Sequence, residues 1–173
     1  LIPSVACRRL SITEKADFAL IAWVQKAKIE ARKIQTAHID LKELSKKLTV
    51  IREMTVKDPS DFCEELRELL SNCGIAIVFL PHIGGSFLHG VTFYDKNKIV
   101  IGLTLRGKDA DKFWFSLFHE IGHILLGHLN QNAEIDNNAE RAADQFAKDT
   151  LISPEDFQSF VRKGVFSKDS LTL

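Results

Sequence analysis

The chain is poor in the features that mark several protein classes. Cysteine occurs three times in 173 residues, at Cys7, Cys63 and Cys73. An odd count without Cys-x-x-Cys spacing argues against a disulfide scaffold or a zinc ribbon and fits a reducing compartment, so a cytoplasmic location is expected. No apolar run approaches the roughly 20 residues that a membrane-spanning helix needs. The opening Leu1-Ile2-Pro3-Ser4-Val5-Ala6-Cys7 has neither the charged leader nor the long apolar region of a signal peptide. Nor does it begin with methionine, Met54 being the sole one; this predicts a fragment or processed product with an upstream domain. Repeats and low-complexity tracts are absent.

Net charge is missing as well, 23 Lys and Arg balancing 23 Asp and Glu. That balance argues against a dominant nucleic-acid surface. The charge is unevenly spread, with 12 basic and 6 acidic residues in 1–57 against 11 and 17 in 58–173. The lysines at 26, 28, 33, 42, 46 and 47 give the first part a basic face. A solvated helical face explains it more simply than DNA binding, because no helix-turn-helix glycine turn accompanies it. Direct contact with nucleic acid or membrane is therefore not expected of this chain.

The length suits one domain with a helical extension. Residues 12–36 and 39–54 show helical spacing, and Asp58-Pro59-Ser60-Asp61 opens a third helix, with Ser60 or Asp61 as its cap, running to Asn72 and stopping at Gly74. Three apolar, β-branched runs follow: Ile75–Leu80, Phe87–Tyr94 and Lys98–Leu105. The last two flank Asp95-Lys96-Asn97 and predict a hairpin. Asp109 is placed to cap the next helix, and Asn137 or Asn138 to begin another. The expected division is a helical extension or linker over 1–57 and a catalytic-type domain over 58–173.

What is present decides the chemistry. His119-Glu120-Ile121-Gly122-His123 lies inside the apolar run Phe113 to Leu129. Residues four apart share one helix face, so the two imidazoles can hold one tetrahedral zinc. Glu120 lies about 100° further round the axis, beside the metal, where it can take a proton from an attacking water. An ordinary amphipathic helix can carry the same string by chance. The context opposes that: Trp114, Leu117, Ile121 and Leu125 form an apolar back, while Lys112, Ser116 and Leu126 share the front with the histidines.

Two histidines leave a zinc site short of a ligand. Glu140 and Asp144 are again four apart, flanked by Ala143 and Ala147, which permit close helix approach. Glu140 is the better third ligand, and Asp144 can bond the outer nitrogen of a ligating histidine. Taken alone, such a pair is more commonly a solvated acidic face; coupled to the histidine motif, Glu140 becomes the better reading. His128 would point away if its helix continued, although Gly127 can end that helix; Glu134 and Asp136 stay open as outside candidates. The longer pattern ending in Gly and a third His is not met, since Leu126 and Leu129 occupy those positions. A substrate can add as an extended strand to a sheet edge, and Phe87–Tyr94 or Lys98–Leu105 can be that edge, with His89 and Tyr94 as helpers that polarise the carbonyl or steady the oxyanion.

Phe113-Trp114-Phe115-Ser116-Leu117-Phe118-His119-Glu120-Ile121-Gly122-His123-Ile124-Leu125-Leu126, then Glu140-x-x-x-Asp144-x-Phe146-Ala147 and Leu151-Ile152-Ser153-Pro154, resembles the ImmA/IrrE metallopeptidase family. The resemblance runs from about Ile51 to Phe160 and is closest to members fused behind a helix-turn-helix in HigA-like, phage or toxin–antitoxin regulators. It implies an α+β, gluzincin-like zincin fold with a short antiparallel or mixed three-stranded sheet on the active-site helix. It also implies zinc (or manganese) on His119, His123 and Glu140, with Glu120 as general base. The substrate it implies is a protein or peptide, a DNA-binding regulator above all, with a cognate toxin or a second copy of the chain as further partners. Many members carry an acidic residue two after the third ligand, where this chain has Ala142. The competing reading is a zinc-binding sensor or partner-binding module without turnover; a DNA-binding role for 1–57 ranks third.

Overall fold

The computed structural model describes residues 6–7, 14–81, 89–104, 110–129 and 137–164. The elements in chain order are β1 (Ala6–Cys7), α1 (Glu14–Ala31), α2 (Leu41–Glu53), a 3₁₀ turn (Met54–Val56), α3 (Pro59–Asn72), β2 (Ile75–Leu80), β3 (Gly90–Asp95), β4 (Lys98–Thr104), α4 (Ala110–Leu125), α5 (Asn137–Leu151) and α6 (Pro154–Lys163).

The fold is α+β, as expected. β3 and β4 form the predicted antiparallel hairpin, and β2 joins β4 in parallel, Ile75 facing Ile99 and Leu80 facing Thr104. A fourth, two-residue strand is added that composition does not announce: β1 pairs antiparallel with β3, Ala6 opposite Thr92 and Cys7 opposite Val91, so the order is β1-β3-β4-β2. β4 is thus paired on both flanks, and β3 is covered by β1 at Val91 and Thr92. This corrects Lys98–Leu105 as a candidate edge and, over those residues, Phe87–Tyr94. The apolar residues of β4 on both faces suit a strand buried on both faces. Leu105, Phe87 and the proposed cap Asp109 lie outside the described residues.

Strand alternation assigns each face a partner. Ile75, Ile77, Ile99, Ile101 and Leu103 point to one side and share a core with Leu66 and Leu70 of α3, Leu44 and Ile51 of α2, and Leu117, Phe118 and Ile121 of α4. Ala76, Val78, Leu80, Val91, Phe93 and Val100 point to the other side, against Trp23, Val24, Ala27 and Ala31 of α1. Each large side chain sealed this way contributes roughly 1.5–3 kcal/mol. Gly102 makes that second contact possible, because a Cβ there would lie 2.7 Å from the Trp23 ring.

Helix ends follow local chemistry. Asp40 caps α2 by accepting from the Glu43 N–H at 2.9 Å. At α3 the cap is Asp58, not Ser60 or Asp61: its carboxylate accepts from the Ser60 N–H at 2.9 Å. Pro59 explains the shift, since the first helical position suits a residue without an N–H and pushes the cap one residue upstream. Gly74 ends the turn after α3 with φ of 81°, a left-handed conformation that glycine adopts freely. Asp95, buried at the hairpin end, holds Arg32 at 3.0 Å and Lys28 at 3.3 Å, tying the last turn of α1 to the sheet. Burial pushes its carboxyl up, but the two cations outweigh that and hold it below the usual aspartate range. No helix among the described residues is long and apolar enough to cross a membrane.

Candidate metal centre

α4 packs its apolar back into the main core, and the opposite side brings His119, Glu120 and His123 inward, each at most 3 % exposed. Three ionisable side chains within five residues at such burial are costly unless paired or bound to a metal. α5 supplies the pairing. It lies close against α4 because Ala143 and Ala147 are fully buried and Gly122 offers no Cβ, one there coming within 3.3 Å of the Ala143 backbone. That contact brings Glu140 and Asp144, one turn apart, over the histidines.

The two Nε2 atoms stand 3.0 Å apart, with Glu140 Oε2 3.5 Å from His119 Nε2 and Glu140 Oε1 3.5 Å from His123 Nε2. Donors about 2.0–2.1 Å from a tetrahedral zinc are separated by about 3.4 Å, so this triangle has the dimensions of a zinc face. Glu140 Oε1 is buried without a hydrogen-bond partner, a lone pair aimed into the cluster. Among the described residues, His119, His123 and Glu140 form the group of donors that can hold a metal ion. The residues fit the ion. Burial pushes the Glu140 carboxyl up, yet the two imidazoles facing it bring it down to about 2. Burial works against charge on His119 too, but Glu140, Glu120 and Asp144 outweigh it and raise its pKa above the usual histidine value.

The outer nitrogens are also engaged. Asp144 Oδ1 meets His119 Nδ1 at 2.9 Å, the contact expected of it. His128 does not continue the helix: α4 stops at Leu125, Gly127 turns left-handed with φ of 75°, and the His128 ring comes back to His123, Nδ1 to Nδ1 at 3.1 Å. Glu134 and Asp136 lie outside the described residues.

Glu120 is held from a direction that sequence reasoning did not find. Thr92 of β3 donates its hydroxyl to Glu120 Oε2 at 2.5 Å. Two residues before it on the same strand face, Gly90 leaves the space that the carboxylate fills: a Cβ there would sit 2.4 Å from Glu120 Oε1. Burial pushes the Glu120 carboxyl up to about 8 in the metal-free chain, with the Thr92 bond acting the other way; a dication beside it would lower it further. A cleft of about 690 Å³ opens on His119 and Glu120, walled by Trp114, Phe115, Thr55 and Ile152. His89 lines this cleft, whereas Tyr94 is 37 % exposed on β3 and does not.

Residues 74–169 match the family described as Peptidase_M78, the IrrE N-terminal-like domain. No curated protein matches the chain. No solved structure matches it either.

Proposed function

Since the chain belongs to the IrrE N-terminal-like peptidase family, we propose that it is a zinc-dependent metallopeptidase domain that hydrolyses peptide bonds. The observation that carries this reading is the convergence of His119 Nε2, His123 Nε2 and the Glu140 carboxylate beside a buried Glu120, with His119 and Glu120 lining an open cleft. Two imidazoles and one carboxylate suit zinc, with manganese the other ion of this donor chemistry. When bound, the ion supplies Lewis acidity that polarises a peptide carbonyl and makes water nucleophilic near neutral pH. Glu120 takes the proton from the attacking water and passes it to the leaving nitrogen. Thr92 fixes the Glu120 carboxylate, and Asp144 keeps the His119 proton on Nδ1 so that Nε2 faces the ion. His89 is the better placed of the two proposed helpers.

We assign the substrate to the class of DNA-binding regulators, repressors or antitoxins, acting in transcription control in the cytoplasm. What suggests this class is the resemblance of Phe113–Leu126 and Glu140–Ala147 to the ImmA/IrrE family. Glu120→Gln should keep one zinc per chain and lose hydrolysis of such a substrate, measured by metal analysis beside a cleavage assay. Cleavage at the full rate by that variant would remove Glu120 from the role of base.

One observation favours a second reading, a zinc-binding partner module without turnover. β1 occupies the outer side of β3 at Val91 and Thr92, beside the residue that holds Glu120, where an added strand would otherwise pair. Zinc uptake with no cleavage of any repressor, in wild type and Glu120→Gln alike, would select that reading.

A further inference from the structure

The two proposed metal histidines are braced differently. His119 turns its outer nitrogen to a carboxylate, Asp144, at 2.9 Å. His123 turns its outer nitrogen to a second imidazole, His128, at 3.1 Å, the ring planes inclined by 67°. An imidazole that offers Nε2 to an ion carries its proton on Nδ1 and needs an acceptor there. For His123 that acceptor is Nδ1 of His128, which must therefore be deprotonated, with the proton of His128 on Nε2.

The backbone brings His128 to this place by a defined helix stop. The His128 N–H bonds back to the His123 carbonyl at 2.9 Å, and the Gly127 N–H to the Ile124 carbonyl at 3.2 Å. With Gly127 left-handed, these are the two bonds of a Schellman end. Residues 123 and 128 are thus joined twice, backbone to backbone and ring to ring. A Cβ on Gly127 would touch nothing within 4 Å, so glycine is required there for its φ alone.

We propose that His128 is a positioning residue that fixes the tautomer and orientation of His123 without itself binding the ion. This rests on the metal-site reading above. A neutral brace also adds no further negative charge to a centre that already gathers the carboxylates of Glu140, Asp144 and Glu120.

The test is zinc affinity of the full chain, by competition with a chromogenic chelator, with the ¹⁵N chemical shifts of the histidine ring nitrogens recorded in parallel. His128→Ala should weaken zinc roughly 10- to 100-fold at unchanged stoichiometry. His128→Asn, whose side-chain oxygen can stand near the Nδ1 position, should recover much of the loss; His128→Phe, which keeps ring volume without an acceptor, should not. The ring spectra of the zinc-loaded wild type should show His123 protonated on Nδ1 and His128 on Nε2. Cobalt-substituted wild type and His128→Asn should share one visible absorption spectrum, since the ligands are the same. Equal zinc affinity across Ala, Asn and Phe, or a changed cobalt spectrum, overturns the positioning role while leaving the metal centre standing. A wild type that takes up no zinc overturns both. If His128→Ala fails to fold, the Asn and Phe pair with the ring spectra still decides.

Discussion

The two faces of the sheet are built from the same strands to opposite ends. Toward α1, β3 presents Val91 and Phe93 to Trp23 and its neighbours, an apolar seal whose one buried carboxylate, Asp95, sits at the hairpin end and is paired with Lys28 and Arg32. Toward α4, the alternate residues Gly90 and Thr92 are small or polar, and they border a carboxylate buried to 1 % exposure. One face gains stability from burial. The other gives up apolar contact to hold charge where chemistry can use it, so β3 serves both purposes through its period of two.

Each face has a glycine under the tip of a partner side chain, which allows a matched experiment. Gly90→Ala would push a methyl into Glu120 Oε1; we expect the fold to survive and peptide hydrolysis to fall by roughly 100-fold through misplacement of the carboxylate. Gly102→Ala would push a methyl into the Trp23 ring; we expect a loss of about 1–3 kcal/mol by denaturant unfolding, with zinc affinity unchanged. If Gly90→Ala lost stability and kept its rate, the division between the faces would be wrong.

A smaller effect sharpens the same contrast in the metal-free chain. The Glu120 carboxyl has its pKa raised to about 8 in the fold, from an ordinary value of 4.5. The stability it contributes is therefore fully present below the ordinary value and lost as pH rises through about 8. With zinc chelated, the thermal midpoint of the wild type should fall relative to Glu120→Gln between pH 5 and pH 8. A constant difference across that range would contradict the burial of this carboxyl.

Asp95 has the opposite sign and the smallest expected effect. Held below the usual range by Arg32 and Lys28, it contributes stability above its ordinary pKa of 3.8 that is lost as pH falls through the lower value in the fold. Asp95→Asn should remove that acid limb from the unfolding profile and leave zinc binding alone. An unaltered acid limb would show that the α1 clamp contributes nothing measurable.

The elements with strong periodicity were legible in the sequence: the hairpin, the strand Ile75–Leu80 (though not its parallel pairing) and the two site helices all carry patterns long enough to read. The i and i+4 pairs, His119 with His123 and Glu140 with Asp144, were legible for the same reason, since helical spacing alone puts each pair on one face. Thr92 and Gly90 were not, because they reach Glu120 from a strand 28 residues upstream and no spacing rule links them. The position of His128 was legible only conditionally: projection along the helix points it away, and the left-handed Gly127 that can end the helix turns it back to His123. The pair Ala6-Cys7 is too short to carry any strand signal, and it is a strand only because β3 offers it a backbone.

That last strand has a kinetic meaning. Ala6 finds its partner Thr92 eighty-six residues away, whereas β2, β3 and β4 assemble from one continuous stretch of thirty residues, Ile75–Thr104. Closing the longer loop takes more chain entropy for far fewer bonds. β1 is therefore the last piece to join the sheet and the first to leave, and its departure leaves the pairing of β3 with β4 intact. The flank of the strand that steadies Glu120 can thus open at a free energy well below that of unfolding, leaving the rest of the sheet in place.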